Sequence, residues 1–227
     1  MLYQQKIEAI IFDLDGTIVD TEILWAKAML EYLRRRDCDC DQEEMLQLVY
    51  GRSWLDIFDD LRREYPAIDA VSADEMAREL SIYHKEFCAV EENFVIESSA
   101  ELLKKLARDY PVIVVSGSPR ADVLHNLEVA GVADCVRFVL GAEDYPSGKP
   151  SPSGFLKGAE MLGVPPAACL VFEDSWAGVS AAKSAGMKCV ALSRDNAHNQ
   201  DVQHADLILS DLAHFDLAAF NAAIQDR

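Results

Sequence analysis

Short runs of apolar residues recur through most of the chain and alternate with segments of helical periodicity. The runs are residues 6–13, 112–116, 138–140, 169–172, 189–192 and 207–209. A strand that is buried on both faces of a parallel sheet is apolar at nearly every position, and intervening helices are typical of right-handed βαβ units. The pattern therefore predicts an α/β fold with a Rossmann-like, doubly wound parallel sheet.

Serine, proline and glycine mark the ends of several predicted helices. Three of these helices are expected at about 118–131, 151–163 and 175–186, each beginning at Ser or Ser-Pro and ending at Gly. Proline fits the first turn of a helix and glycine commonly follows the last. The tail from Asp211 has the pattern of a terminal amphipathic helix.

The pattern changes between residues 20 and 92. This segment is rich in charge, has apolar residues at helical spacing and contains no β-branched apolar run. We therefore expect an inserted helical domain over 20–92 and an α/β core domain over 1–19 and 93–227. Within the insertion, the run RRRDCDCD at 34–41 is interpreted as a solvated helix end and turn.

Composition narrows the choice of partners. The 227 residues include 21 basic and 39 acidic side chains, which gives a net charge of −18. Nucleic acid and anionic membrane are both excluded as expected partners because each requires a basic surface. Six cysteines without CxxC spacing favour a reducing compartment, and no stretch approaches the roughly 18 apolar residues of a membrane span. We expect a soluble cytoplasmic protein.

Candidate chemistry begins where the first apolar run ends, in IEAIIFDLDGTIVD. Residues i and i+2 of a strand point the same way, so Asp13 and Asp15 can reach one site, and Gly16 allows the chain to turn. An aspartate can serve as a covalent nucleophile or as a ligand for Mg²⁺. A second aspartate can transfer a proton.

The DLDGT sequence resembles the first motif of the haloacid dehalogenase-like hydrolases. Three further motifs follow in family order: VIVVSGS with Ser116, GKPSPSGF with Lys149, and CLVFEDSWAGV with Glu173 and Asp174. The last two resemble the β-phosphoglucomutase and sugar-phosphate phosphatase branch. The resemblance implies the strand order 5-4-1-2-3, with 138–140 as the third strand, and makes the helical insertion a cap domain.

The resemblance also implies a reaction. It indicates a phosphatase that acts on a small phosphorylated metabolite, most often a sugar phosphate, through an aspartyl phosphate on Asp13. Asp15 is then the general acid and base, and Lys149 offsets the negative charge. Ser116 and the Gly117 amide bind the phosphoryl oxygens.

Magnesium is the implied cofactor. Its ligands are expected to be the Asp13 carboxylate, the Asp15 backbone carbonyl and Asp174, with Glu173 binding directly or through water. Oxygen ligands of this kind suit Mg²⁺.

Alternative reactions stay open at this point. Related sugar-phosphate mutases carry a histidine ten residues after the second aspartate and an arginine three after a cap glycine, here matched to Gly51. This chain has Trp25 and Trp54 at those positions, which favours a phosphatase over a β-phosphoglucomutase-like phosphotransferase. Dehalogenation is disfavoured because Asp15 is present. A phosphate-binding module without turnover is the least favoured alternative.

The substrate's leaving group is expected to meet the cap. Glu22, in a predicted turn, could accept sugar hydroxyls, and Arg52 could bind a second anionic group. The cap is expected to move about hinges near residues 19–20 and 91–93. The sequence leaves open the exact substrate and the oligomeric state.

Overall fold

A parallel sheet forms the centre of the larger of two units. The computed structural model describes residues 6–49, 54–90, 94–194 and 200–225. Contacts group Met1–Val19 with Val95–Arg227 in one unit, called the α/β unit below, and Asp20–Phe94 in the other, called the helical unit. These divisions fall after residues 19 and 94, and the sequence analysis placed domain boundaries after residues 19 and 92.

Within the described residues the sheet has six strands. They are β1 (Ala9–Phe12), β2 (Val112–Val115), β3 (Val139–Leu140), β4 (Cys169–Glu173), β5 (Lys188–Leu192) and β6 (Leu207–Leu209). Every pairing is parallel, in the order β3-β2-β1-β4-β5-β6. Read from the other side of the sheet, this order is β6-β5-β4-β1-β2-β3. It contains the expected 5-4-1-2-3 arrangement, with β6 added beside β5. The predicted fold class is confirmed.

Helices flank these strands and build the insertion. The helical unit contains α1 (Thr21–Arg34), α2 (Gln42–Val49), α3 (Trp54–Glu64) and α4 (Ala73–Val90); the α/β unit contains α5 (Glu97–Leu106), α6 (Arg120–Val129), α7 (Ser153–Leu162), α8 (Trp176–Ser184) and α9 (Leu217–Gln225). In the described part of the chain, no helix combines the length and apolar character needed to cross a membrane.

The expectation of one continuous helix from Asp211 was wrong. Leu212–His214 forms a 3₁₀ turn, and α9 begins later, at Leu217. Two carboxylates explain the interruption: Asp211 accepts the Ala213 N–H, and Asp216 accepts the Ala219 N–H, both at 2.8 Å. Each side chain caps a separate turn because it competes for backbone donors.

The segment 34–41 is mostly exposed, as expected, but Arg36 is partly buried. Arg36 forms two hydrogen bonds with Glu79 of α4, the shorter at 2.8 Å, and its guanidinium carbon lies 3.6 Å from the centroid of the Tyr32 ring. The Arg36 side chain is only 26% exposed. It therefore joins the end of α1 to α4, whereas Arg34 is exposed and pairs within its own helix.

Aromatic packing fixes the strand ends that lead to the candidate site. Phe12 and Phe172 are paired across β1 and β4, and their rings stack with centroids 4.6 Å apart. Phe215 meets Phe172 edge-on at 5.0 Å. Such pairs add about 0.5–1.5 kcal/mol to the stabilisation from burial. Since Asp13 follows Phe12 and Glu173 follows Phe172, this packing holds the two carboxylates at one edge of the sheet.

Candidate active site

Asp13 occupies the centre of a buried charged cluster at the carboxyl end of β1. The Asp13 side chain is 6% exposed, and its backbone N–H donates to the Phe172 carbonyl at 2.9 Å. Lys149 donates through Nζ to Asp13 Oδ1 and also to Glu173 Oε1, the latter at 2.5 Å. One ammonium group is thus shared by two carboxylates that come from adjacent strands.

Burial and neighbouring charges pull the pKa values of this cluster in opposite directions. Burial raises the pKa of Asp13 above its ordinary value; Lys149 opposes the rise, and Glu173 and Asp15 add to it. Burial alone lowers the pKa of Lys149, but the carboxylates of Asp13 and Glu173 outweigh that effect and raise it. Lys149 therefore stays charged.

Three carboxylates in this cluster are close enough to share a cation. Asp13, Glu173 and Asp174 each offer an oxygen atom, and these atoms lie within 4.8 Å of one another. Lys149 supplies a single positive charge to Asp13 and Glu173, so a negative surplus remains. A cluster of hard carboxylate oxygens with surplus charge fits a bound Mg²⁺.

Both carboxylate oxygens of Glu173 accept hydrogen bonds. Oε2 accepts the N–H groups of Asp174 and Ser175 and the Ser175 hydroxyl, each at 2.9 Å, while Oε1 accepts Lys149. Ser175 also caps α8 as predicted, because its Oγ accepts the Gly178 N–H at 3.0 Å. Glu173 thus positions the ammonium group that reaches Asp13.

Two glycines make room for the acidic side chains. A Cβ atom on Gly178 would lie 1.6 Å from Glu173 Oε1, and one on Gly16 would lie 2.1 Å from Asp174 Oδ2. Gly16 also has a φ of +86°, a conformation that other residues rarely adopt. From the sequence, Gly178 is only part of a family motif. In the structure, the absence of a side chain at Gly178 leaves the space that the Glu173 carboxylate occupies.

Asp15 is held by the loop that follows β2. Ser116 Oγ and Ser118 Oγ both donate to Asp15 Oδ2, each at 2.8 Å. The Ser116 carbonyl accepts the Tyr145 hydroxyl at 2.7 Å. Ser116 was predicted from its position after β2, whereas Ser118 and Tyr145 were not predicted. The two serines of SGS, two positions apart, were the available signal.

Gly117 lies between these serines and is exposed. A Cβ atom at this position would meet no other atom within 4 Å. The space beside this backbone is therefore open.

Comparison with known proteins identifies the family. The sequence model of the haloacid dehalogenase-like hydrolases matches residues 7–186, which contain every acidic and basic residue of the cluster around Asp13. The chain belongs to the haloacid dehalogenase-like hydrolases.

Relatives of this hydrolase include named phosphatases. Validoxylamine A 7′-phosphate phosphatase of Streptomyces hygroscopicus subsp. limoneus is 30% identical over 204 residues, covering 89% of this chain and 92% of the relative. Hexitol phosphatase A of Escherichia coli K12 is 31% identical over 210 residues, covering 91% and 92% respectively. The chain is an enzyme of the same class, a phosphoric monoester hydrolase.

A solved structure shares the fold of the hydrolase. The β-phosphoglucomutase of Clostridium difficile is 25% identical and superposes with a TM-score of 0.72, covering 97% of this chain and 98% of the other. The recognised resemblance to this branch of the family is confirmed.

The residues predicted to meet the leaving group belong to the helical unit of this hydrolase. Glu22 lies in the first turn of α1, so the expected turn at 21–22 was wrong; the chain is already helical there. Arg52 and Gly51 lie outside the described residues. Trp25 stacks on His84 with ring centroids 4.0 Å apart, and Trp54 lies 5.8 Å from Phe58. Both tryptophans thus pack within the helical unit.

Proposed function

We propose that this hydrolase is a magnesium-dependent phosphatase that cleaves small sugar phosphates through an aspartyl phosphate on Asp13. The observation that carries the proposal is the Lys149 ammonium group shared between Asp13 and Glu173, with Asp15 held two residues beyond Asp13. The named relatives act, by their names, on a validoxylamine phosphate and on hexitol phosphates, which supports a sugar-like leaving group.

In the first step, a carboxylate oxygen of Asp13 bonds to phosphorus as the ester P–O bond breaks. Asp15 gives its proton to the departing alkoxide, so the leaving group departs as a neutral alcohol. Lys149 reduces the repulsion between the Asp13 carboxylate and the phosphate dianion. Ser116 and the Gly117 amide are proposed contacts for the phosphoryl oxygens.

In the second step, water replaces Asp13 on phosphorus. Asp15, now a carboxylate, takes a proton from the attacking water as the new P–O bond forms. The bond from phosphorus to Asp13 breaks, inorganic phosphate leaves, and the Asp13 carboxylate is restored. One aspartate cannot act as both nucleophile and proton carrier, so the reaction needs both residues.

The donor set described above would hold Mg²⁺ through Asp13, Asp174 and the Asp15 backbone carbonyl, with Glu173 direct or through water. When bound, the ion neutralises charge that develops on the transferring phosphoryl oxygens.

Phosphatase activity is favoured over phosphoryl transfer between two hydroxyls of one sugar. Trp25 and Trp54 occupy the positions at which related mutases carry His and Arg, and both pack against neighbouring aromatic rings. Glu22 and Arg52 remain proposed contacts for the leaving group. A cytoplasmic location stays a prediction from composition.

A turnover screen with acid-quenched enzyme tests the proposal. Phosphorylated hexoses, pentoses, glycerol, glycolate and nucleotides are incubated with Mg²⁺, and phosphate release is measured. We expect release from sugar phosphates, with a covalent phosphate on Asp13 in enzyme quenched during turnover. Conversion of a hexose 1-phosphate to the 6-phosphate would indicate the mutase, and tight binding without turnover would indicate a phosphate-binding module.

Substitution of Asp13 or Asp15 tests the roles assigned to these two residues in the reaction. Asp13→Asn should abolish turnover because the amide is not a nucleophile, and Asp15→Asn should lower kcat by about 10²-fold or more because general acid–base catalysis is lost. Asp109→Asn, at an exposed aspartate away from the cluster, serves as the control and should retain wild-type kinetics. Wild-type rates in either site variant would contradict the assigned roles.

A further inference from the structure

One oxygen of Asp15 receives two hydroxyl donors, while family comparison draws attention to only one of them. Ser116 Oγ and Ser118 Oγ each lie 2.8 Å from Asp15 Oδ2. Ser116 is fully buried, and its Oγ accepts the Ser118 N–H at 2.9 Å. That backbone bond occupies Ser116 Oγ as an acceptor, and its single hydrogen points to Asp15 in this structure. Because Ser116 is also the proposed contact for a phosphoryl oxygen, Ser118 is the donor to Asp15 that substrate binding leaves in place.

The backbone of Ser118 is held by the loop that follows β3. The Ser118 carbonyl accepts the Ala142 N–H at 2.9 Å. Two residues later, the Arg120 N–H donates to the Glu143 carboxylate at 3.1 Å, and the Arg120 side chain pairs with Asp144 at 2.6 Å. These bonds tie the two loops together, so the Ser118 hydroxyl is presented to Asp15 by a constrained backbone.

We propose that Ser118 is a positioning residue that holds the Asp15 carboxyl group through Oδ2, so that Asp15 is oriented for proton transfer. A hydroxyl donor 2.8 Å away on a constrained backbone restricts rotation of this carboxyl group. The inference rests on the proposed phosphatase function and adds to it the orientation of its acid–base group.

The consequence differs between leaving groups. For an alkyl phosphate, a proton must move from Asp15 to the ester oxygen as the P–O bond breaks. For p-nitrophenyl phosphate, the departing phenolate is stable without a proton, so formation of the aspartyl phosphate does not depend on Asp15 orientation. Hydrolysis of the aspartyl phosphate depends on the orientation of Asp15 with both substrates, because Asp15 must take a proton from the attacking water.

Rapid-quench kinetics with Mg²⁺ and two substrates separate these steps. The substrates are p-nitrophenyl phosphate and the best sugar phosphate found by the turnover screen. For Ser118→Ala we expect single-turnover cleavage of the sugar phosphate to fall about tenfold or more. With p-nitrophenyl phosphate we expect a rapid burst of p-nitrophenolate, then slow steady-state turnover with phosphorylated Asp13 accumulating.

Two further variants test whether the loss is due to the Ser118 hydroxyl. Ser118→Thr retains the hydroxyl and should restore most of the sugar-phosphate rate. Ser180→Ala removes a serine hydroxyl on α8 that contacts His204, outside the cluster, and should behave as wild type. In Ser118→Ala, equal losses in single-turnover cleavage of the two substrates, or wild-type rates with both, would overturn the inference. Absence of phosphorylated Asp13 in the wild-type enzyme would instead overturn the proposed function.

Discussion

At the residue scale, the site depends on the absence of a single carbon atom at Gly178. The fixed position of Glu173 leaves no space there, since a Cβ atom would lie 1.6 Å from Oε1 and 1.8 Å from the carboxyl carbon. We predict that Gly178→Ala displaces the Glu173 carboxylate and lowers the free energy of unfolding by about 2 kcal/mol or more, because buried hydrogen bonds to a charged group are lost. Equilibrium urea denaturation measures this loss.

Activity should fall with stability in this variant, because Lys149 loses one of its two carboxylate partners. Gly148→Ala is the matched control: a Cβ atom there meets nothing within 4 Å. The double variant Gly178→Ala with Glu173→Asp shortens the acidic side chain and should recover part of the lost stability. A Gly178→Ala protein as stable and active as Gly148→Ala would contradict the steric argument.

At the scale of elements, Arg36 connects the end of α1 to α4. It binds Glu79 through two hydrogen bonds, covers the Tyr32 ring and donates to the Tyr32 carbonyl at 3.2 Å. We predict that Arg36→Ala lowers the free energy of unfolding by about 1–2 kcal/mol, because an ion pair and a cation–π contact are lost together. Tryptophan fluorescence during urea denaturation reports on this unit when measured in a Trp176→Phe background, since Trp25 and Trp54 lie within the unit and Trp176 lies on α8.

The matched control is Arg34→Ala. The Arg34 side chain is 75% exposed, and its partner Glu31 also binds Arg35, so we expect a change within about 0.5 kcal/mol. A loss as large as that of Arg36→Ala would contradict the assigned connection.

The contribution of Arg36 should also depend on pH. Its hydrogen bond lowers the pKa of Glu79 below the ordinary value. A carboxyl with a depressed folded pKa stabilises the fold above its unfolded pKa, and this stabilisation is lost as pH falls through the folded pKa. The difference between wild type and Arg36→Ala should therefore shrink below about pH 4. A difference that stays constant down to pH 3 would exclude the ion pair as its source.

The elements also show what the sequence could and could not predict. The buried strands were readable because strands covered on both faces are continuously apolar, whereas their order came from family resemblance. Asp13, Ser116 and Asp174 were predictable because each follows a strand at the same edge of the sheet. Ser118 and Tyr145 were not, because their partners depend on how loops fold around that edge.

At the scale of the whole molecule, charge opposes the proposed substrate. A chain with a net charge of −18 repels a phosphate dianion at long range. The acidic cluster adds to this repulsion, since Asp13, Glu173 and Asp174 crowd oxygen atoms within 4.8 Å. Lys149 offsets part of this charge, and the surplus negative charge that remains should destabilise the fold until a cation binds. A divalent cation bound in the cluster should therefore be needed for turnover and should also raise the free energy of unfolding.

Magnesium removal tests this requirement on the whole enzyme. We predict that EDTA abolishes turnover, and that Mg²⁺ at about a hundredfold excess over its Kd raises the free energy of unfolding by about 2.7 kcal/mol. KCl at matched ionic strength is the necessary control, because screening of the net charge also stabilises an acidic protein. Asp174→Asn should lose the magnesium effect yet unfold at the same or a higher temperature without metal, since one of three crowded charges is removed. An equal rise with KCl, or a full magnesium effect in Asp174→Asn, would place the cation elsewhere.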